Sequence, residues 1–389
     1  MPWTSQRLNF DRSTLNNDRF FSADALRGLI VALMALDHAN LFIAHQHSSG
    51  EYWGGLFPTY SDPVEFLVRF VTHFCAPGFF FLTGMGMILF ARSRHEQGWS
   101  KTAIVRHFWV RGLTLIALQF LIVNRAWELS PVGWSIRIYV GVLSALGLGM
   151  ILCSLLLWIR SGFLIGLALI LLFGTELMVP NPNAWGSGFG WITHLFVLPG
   201  GIADPAGGFL LWSNYPVLPW MALVVFGLLF GRWLAEDPHT AYRRAWKLGL
   251  TFLITFLVVR TIDSFGNIRP RLSDGWMDFL NPVKYPPSIT FTLMTSGVNL
   301  LLVWLFSRLL PFKDTLLRPL VVFGQAPLFF YVSHLFLYAT LGARIAPQGA
   351  SLPAMLPVWL LGLVILYPMC RGYRRLKRHQ FTRPVLQFL

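Results

Sequence analysis

The chain has 389 residues, 55% of them hydrophobic and only 12% charged, with a mean hydropathy of +0.56. A soluble domain carries about a quarter charged residues. Here the apolar residues come in blocks long enough to cross the roughly 30 Å hydrocarbon layer, so a soluble domain is excluded. The net charge of +14 does not point to nucleic acid either, because the basic residues punctuate the apolar blocks on alternate sides and form no patch interleaved with stacking aromatics.

In chain order, the polar residues 1–22 lead into an apolar block over 25–44 that contains Asp37-His38 and no small-residue cleavage site. The sequence therefore predicts a retained first span rather than a signal peptide. Further blocks run over 64–91, 107–124, 137–158, 162–180, 214–234, 247–263, 287–307, 319–342 and 354–370. A backbone surrounded by lipid must satisfy its own hydrogen bonds, so each block is expected to be helical. The predicted fold is all-α: a polytopic transmembrane helical bundle of about ten spans, one membrane-embedded domain over 1–389 with no internal repeat or linker. Most of the 31 Lys and Arg residues then fall on one side, and the positive-inside rule places both termini in the cytoplasm. The tail over 371–389 opens with Arg371, Arg374, Arg375, Lys377 and Arg378, a run that suits an anionic cytoplasmic leaflet and anchors the topology.

The outward loops over 45–63, 181–213 and 264–286 are long and rich in Gly, Pro, Trp, Asn, Ser and Tyr. Long loops in compact folds tend to be functional, and aromatic and amide side chains are what sugar-binding surfaces offer, although Trp and Tyr also collect at membrane interfaces without such a role. Cys75, Cys153 and Cys370 lie in or beside apolar blocks with no C-x-x-C spacing, which indicates neither zinc nor disulfides. No P-loop, Rossmann fingerprint or H-E-x-x-H occurs. His45 and His47 at i, i+2 on a loop are weak ligands for a metal, and no metal site is expected.

The chemistry is carried by ionisable groups inside the apolar blocks. Each costs about 2.5–3.5 kcal/mol at a helix centre and so requires a reason. Asp37 and His38 close the first block, Arg69 and His73 sit in the outer part of the second, Asp263 ends the seventh, and His334 lies a little beyond the middle of the ninth. Arg69 and His73, at i, i+4, share a helix face. Pro77, Gly78, Gly84 and Gly86 should loosen that helix, and the carbonyl freed near residue 73 needs a neighbour or water. Pairing alone would hold any one of these groups. Three histidines near one depth ask for more, and imidazole serves as base, acid or nucleophile near neutrality.

Several stretches carry a family resemblance. Ser22-Ala23-Asp24-Ala25-Leu26-Arg27-Gly28 runs into Leu33-Met34-Ala35-Leu36-Asp37-His38. Thr72-His73-Phe74-Cys75-Ala76-Pro77 is followed by Phe79-Phe80-Phe81-Leu82-Thr83-Gly84, and Tyr215-Pro216-Val217-Leu218-Pro219-Trp220 comes later. Lys284-Tyr285-Pro286-Pro287-Ser288 precedes Leu293-Met294-Thr295, and Phe323-Gly324-Gln325-Ala326-Pro327 leads into Phe329-Phe330-Tyr331-Val332-Ser333-His334. In this order they resemble the heparan-alpha-glucosaminide N-acetyltransferase catalytic-domain family of multi-pass membrane acyltransferases and its bacterial members. The resemblance implies transfer of an acyl group, usually acetyl, from cytoplasmic acyl-CoA to an extracytoplasmic sugar or cell-envelope acceptor, in a bacterial inner membrane, with membrane lipid around it and a homodimer compatible. It also implies an Arg at the inner end and a His at the outer end of the first span, which map to Arg27 and His38. In the animal enzyme of the family the principal histidine stands in the first luminal loop. Here that loop holds His45 and His47 without the surrounding pattern, so the principal histidine stays open.

On this reading His38 is the base, or a transient acyl carrier, and Asp37 orients it. His73 and His334 bind or relay the proton and Arg69 stabilises negative charge. Arg27 meets the CoA phosphates, Asp24 pairs with it, and Lys284 closes the extracytoplasmic rim. Each has a plainer alternative: a satisfied helix-end histidine for His38, a topology anchor for Arg27, a snorkelling lysine for Lys284. His95, His107, His239 and His379 receive no role, and His194, beside Trp185 and Trp191 in a loop, is at most an acceptor contact. A proton-coupled transporter would use the same intramembrane residues, though no inverted halves with matching broken helices are visible; a non-catalytic scaffold or sensor would need no histidine cluster. The acyltransferase reading expects His38, His73 and His334 to face one outward cavity, with a second opening near Arg27 on the cytoplasmic side.

Overall fold

The computed structural model describes residues 12–47, 50–130, 133–186 and 188–378. The polar N-terminus over 1–11 and the tail over 379–389, with His379, lie outside the described residues.

The first span is α1 (Arg12–Ala39), prolonged by a π-helical turn over Asn40–Ala44 and ended by His45 in a left-handed conformation (φ 58°). The second is built from α2 (Pro63–Thr72) and α3 (Cys75–Glu96). Asp62 caps α2 by accepting from the Val64 amide at 2.7 Å, and Pro63 occupies the first turn, where its missing N–H is not needed. The break at 73–74 follows from Pro77, which offers no N–H to the carbonyl four residues earlier. The next carbonyl, that of Phe74, keeps its helical bond from the Gly78 amide and also accepts from Asn299 Nδ2, both at 3.1 Å. The third span runs through α4 (Lys101–Leu118), a π-helical turn (Gln119–Val123) and α5 (Asn124–Trp127). There follow α6 (Val142–Ser154), α7 (Ser161–Met178), the short α8 (Trp191–Phe196), α9 (Val217–Glu236) and α10 (Pro238–Ile262). The chain ends with the short α11 (Trp276–Phe279), α12 (Ile289–Arg308), α13 (Arg318–Gly324), α14 (Pro327–Ile345) and α15 (Leu352–Arg378).

Among the described residues, nine helical stretches are long and apolar enough to cross a membrane, and the protein is an integral, multi-pass, all-α membrane protein. The block predicted over 137–158 yields less than a span. Its first residues form the strand β1 (Ile136–Val140), Gly141 precedes the helix, and α6 keeps 13 residues, about 20 Å of helix against a layer of about 30 Å. Ile136, Ile138, Tyr139 and Val140 are the branched and aromatic types that favour a strand. With β2 (Gly200–Ala203) and β3 (Phe209–Ser213), β1 makes a three-stranded sheet in the order β1-β3-β2, β1 parallel to β3 and β2 antiparallel. Hydropathy gave no sign of it.

The core lies where α3 packs on α9, α10 on α12, α4 on α6 and α1 on α13, around fully buried rings such as Phe80, Trp220 and Phe230. α7, α10 and α15 turn most of their apolar surface outward, as lipid-facing helices do. α1 and α13 touch backbone to backbone: a Cβ on Gly28 would strike the Leu320 carbonyl, and one on Gly324 the Asp24 carbonyl. That approach fixes the surroundings of Arg27, whose Nη1 donates to the Gly324 carbonyl at 3.1 Å.

Candidate active site

Asp37 and His38 are adjacent on α1, and a helix turns about 100° per residue, so they serve different neighbours. Asp37 meets α2 and the first outer loop. Its Oδ1 accepts from Arg69 Nη1 at 2.8 Å and from the Thr72 hydroxyl at 2.9 Å, and its Oδ2 stands 3.1 Å from His47 Nε2. Arg69 then grips Glu51 with a two-pronged contact, Nε to Oε1 and Nη2 to Oε2, both 2.7 Å. His73 Nε2 adds a longer bond to Glu51 Oε1 at 3.2 Å. Glu51 and His73 are both 0% exposed. Burial alone would raise the Glu51 carboxyl, but the Arg69 guanidinium and its hydrogen bonds hold it well below the usual carboxylate range.

His38 faces α14 instead. Its Nδ1 lies 2.6 Å from His334 Nε2, and His334 Nδ1 lies 2.9 Å from the Phe330 carbonyl. A carbonyl only accepts, so His334 carries its proton on Nδ1. Nε2 of a neutral His334 is then a bare acceptor, and His38 must donate to it from Nδ1. Neutral rings are favoured here, since an unpaired charge within a span is costly. The relay leaves the lone pair of His38 on Nε2. The orienting partner of His38 is therefore His334, and Asp37, which was expected in that role, belongs to the Arg69 network.

Both networks border an outer cavity of about 90 Å³ lined by Asp37, His38, His47, Thr72 and Lys284 together with aromatic side chains. Trp127 meets the His38 ring edge-on (5.2 Å, 88°), and its buried indole N–H has no hydrogen-bond partner among the described residues. Asn214 Oδ1 accepts from the Tyr52 hydroxyl (2.7 Å) and from Trp212 Nε1 (2.6 Å), while its Nδ2 donates to the Tyr139 hydroxyl at 3.1 Å. The small sheet thus delivers Tyr139, at the end of β1, and Asn214, just after β3, to the cavity wall. Lys284 and Tyr285 donate backbone N–H groups to the Glu51 carbonyl, both at 3.0 Å, which stitches the loop after α1 to the loop before α12. The Lys284 ammonium lies 5.0 Å from the Tyr285 ring centroid. Burial pushes it down to about 8, with Arg69 acting the same way and the Glu51 and Asp37 carboxylates opposing. Burial raises the phenols of Tyr52 and Tyr285 above their ordinary value, so both stay protonated donors.

Of the three histidines expected to face one cavity, only His38 lines it. His334 stands directly behind it, and His73 is sealed beyond Glu51 with its Nδ1 unpartnered. A second cavity does border Arg27. An inner cavity of about 420 Å³ is bordered by Arg27, Asp24, Arg111 and Lys377, with apolar walls from α3, α4 and α6. Arg27 Nη1 pairs with Asp24 Oδ1 at 2.9 Å, and Gln325 Nε2 donates to Asp24 Oδ2 at 2.9 Å. Arg111 Nε is buried with no partner among the described residues. Arg27 lies eleven residues before His38 on α1, about 16 Å along the axis. Among the described residues no group of three or more His, Cys, Asp or Glu side chains could hold a metal ion.

Asp263, placed at the end of a block, lies elsewhere, taking the Arg271 amide at 3.1 Å. Glu51, Thr72, Trp127 and Arg111 were not among the expected site residues, and His47, left open as a principal histidine, stands against Asp37 and Arg69.

The chain matches the family described as "Heparan-alpha-glucosaminide N-acetyltransferase, catalytic" over residues 19–261, and the family described as "OpgC protein" over residues 212–378. No curated protein matches it. The first match spans more than half of the chain, and the protein belongs to that family; its function is of the membrane acyltransferase type.

Proposed function

From that membership and the paired cavities, we propose that the protein moves a short acyl group, acetyl in the simplest case, from acyl-CoA to an extracytoplasmic sugar or cell-envelope acceptor, in a bacterial cytoplasmic membrane. The observation that carries the reading is His38 Nε2, left unprotonated by the His334 relay, on a cavity that adjoins a second one with a cationic mouth. Arg27, Arg111 and Lys377 suit the phosphates of CoA, and the apolar wall suits its pantetheine arm. Membership in the family favours transfer over the proton-coupled transport that the same intramembrane residues would also allow.

The acceptor amine or hydroxyl enters from the outer side, where Asn214 and the tyrosines offer hydrogen bonds and flat apolar faces. His38 Nε2 takes its proton as the nucleophile adds to the thioester carbonyl. A C–N or C–O bond forms, the C–S bond breaks, and the proton passes from His38 to the departing thiolate. Lys284, with no carboxylate within ion-pair distance among the described residues, supplies the positive charge for the tetrahedral oxyanion, and the free indole N–H of Trp127 is a second donor beside it. The Asp37–Arg69–Glu51 network does no proton transfer on this account. It holds α1, α2 and the loops at the spacing the cavity needs.

Radiolabelled acetyl-CoA incubated with purified protein and an envelope extract tests this directly. We expect label on an acceptor with wild type and a loss of about 10²–10⁴-fold with His38→Ala, the usual worth of a general base. Well-folded wild-type protein that neither binds acetyl-CoA nor transfers label overturns the reading.

A further inference from the structure

Phe79, Val142 and Tyr331 line both cavities. They come from three elements, α3, the first turn of α6 and α14; Tyr331 is buried, and Phe79 and Val142 are half-buried. The Tyr331 ring also stands against His334 (5.7 Å, 63°), so this partition is continuous with the histidine pair. Whatever reaches His38 from the inner cavity passes between these side chains, and the outer cavity beyond them is the smaller of the two.

We propose that Phe79, Val142 and Tyr331 form a wall that sets the size of the acyl group the protein can transfer, admitting a short chain and rejecting a longer one. The inference rests on the inner cavity being the donor site. Side chains packed in a protein interior resist extra volume, and a misfit of one methylene against such a wall discriminates about 10–200-fold. Neither charge nor hydrogen bonding is needed for this selection. Bulk alone decides it, so the wall should respond to truncation.

Cys75 gives a reading of the wall that does not depend on turnover. It lines the outer cavity, its Sγ contacts the Ile30 carbonyl at 3.4 Å, and it is one of three free cysteines among the described residues. With Cys153 and Cys370 replaced by Ala, inside-out vesicles are treated with a membrane-impermeant methanethiosulfonate added on the cytoplasmic side. We expect slow labelling of Cys75 in the otherwise wild-type protein, labelling at least about tenfold faster in Phe79→Ala and in the milder Val142→Ala, and no increase in Phe79→Trp. In the same variants the rate with butyryl-CoA relative to acetyl-CoA should rise about 10–200-fold. Equal labelling with and without Phe79→Ala overturns the wall. Faster labelling with an unchanged acyl preference overturns its role in selection. Faster labelling while the wild type transfers nothing sinks the donor reading, and the acyl limit with it, and leaves a barrier between two cavities.

Discussion

Two polar clusters flank the outer cavity, and they are built on opposite terms. In the first, every guanidinium nitrogen of Arg69 is engaged, and both oxygens of Glu51 and of Asp37 have partners. In the second, three of the four ring nitrogens of His38 and His334 are accounted for and the fourth, His38 Nε2, is left over. The carboxylates and the guanidinium of the first are charged and saturated, with only the sealed Nδ1 of His73 beside them left unpartnered; the second is neutral and one bond short on the cavity side. A saturated group has no capacity left for a substrate, whereas an unfilled acceptor on a cavity wall is a site for a proton. Chemistry is thus expected where unspent hydrogen-bonding capacity and the cavity wall coincide, as they do at His38 and not at the sealed His73.

The comparison breaks most visibly at Arg69. Removing the guanidinium leaves Glu51 buried with only the longer His73 contact, and breaking a buried pair in this way costs about 3–5 kcal/mol. We expect Arg69→Met to lower the melting temperature in detergent sharply and to reduce the yield of folded protein. If Arg69→Met melts like wild type and loses only activity, the network is catalytic and the division between the clusters fails. A smaller effect is expected at His334. In His334→Ala, His38 keeps its ring but loses the acceptor that fixes its tautomer, so the base is present and misassigned part of the time. One hydrogen bond of about 1 kcal/mol corresponds to a loss of about fivefold to tenfold in kcat, with near-normal melting, and His334→Gln, which offers an acceptor oxygen, should recover part of it. A loss as large as that of His38→Ala would make His334 a direct participant in proton transfer.

Much of this was legible in the sequence, and the rest was hidden for definite reasons. The apolar blocks revealed the spans because lipid forbids polar backbone, and the cost of burying charge singled out Asp37, His38, Arg69 and His334. Glu51 escaped notice because it lies in a polar loop, where a carboxylate needs no explanation until folding buries it. Arg111 was indistinguishable from the basic residues that orient any membrane protein. Asp37 was assigned to His38 because the two are neighbours in sequence, though neighbours on a helix point apart; the spacing already argued for a partner on another element. His73 was correctly put on one face with Arg69, since both reach Glu51, but sharing a face does not tell whether that face meets a cavity or a seal. The strand over Ile136–Val140 was absorbed into a span because hydropathy cannot separate a short apolar strand from the start of a helix.

The finest division between the clusters is at Lys284, a cation on the same cavity without an ion-pair partner among the described residues. An ordinary lysine stays charged up to about 10.5, and here burial brings the change down to about 8. Below about 8 the ammonium is available to an oxyanion, and above it the amine is neutral, so activity that uses the charge should decline as pH rises through about 8. Stability should move the other way. Between about 8 and 10.5 the unfolded chain holds this proton more firmly than the folded one, so withdrawing it favours the folded state, and the Lys284 contribution to stability rises with pH across that window. The two trends are read as kcat/KM and melting temperature against pH, each compared with Lys284→Met, so that other titrating groups cancel. We expect a decline of a few fold in wild type, absent in Lys284→Arg, whose guanidinium stays charged. If the decline persists in Lys284→Met, it belongs to another group, and Lys284 joins Arg69 as part of the frame.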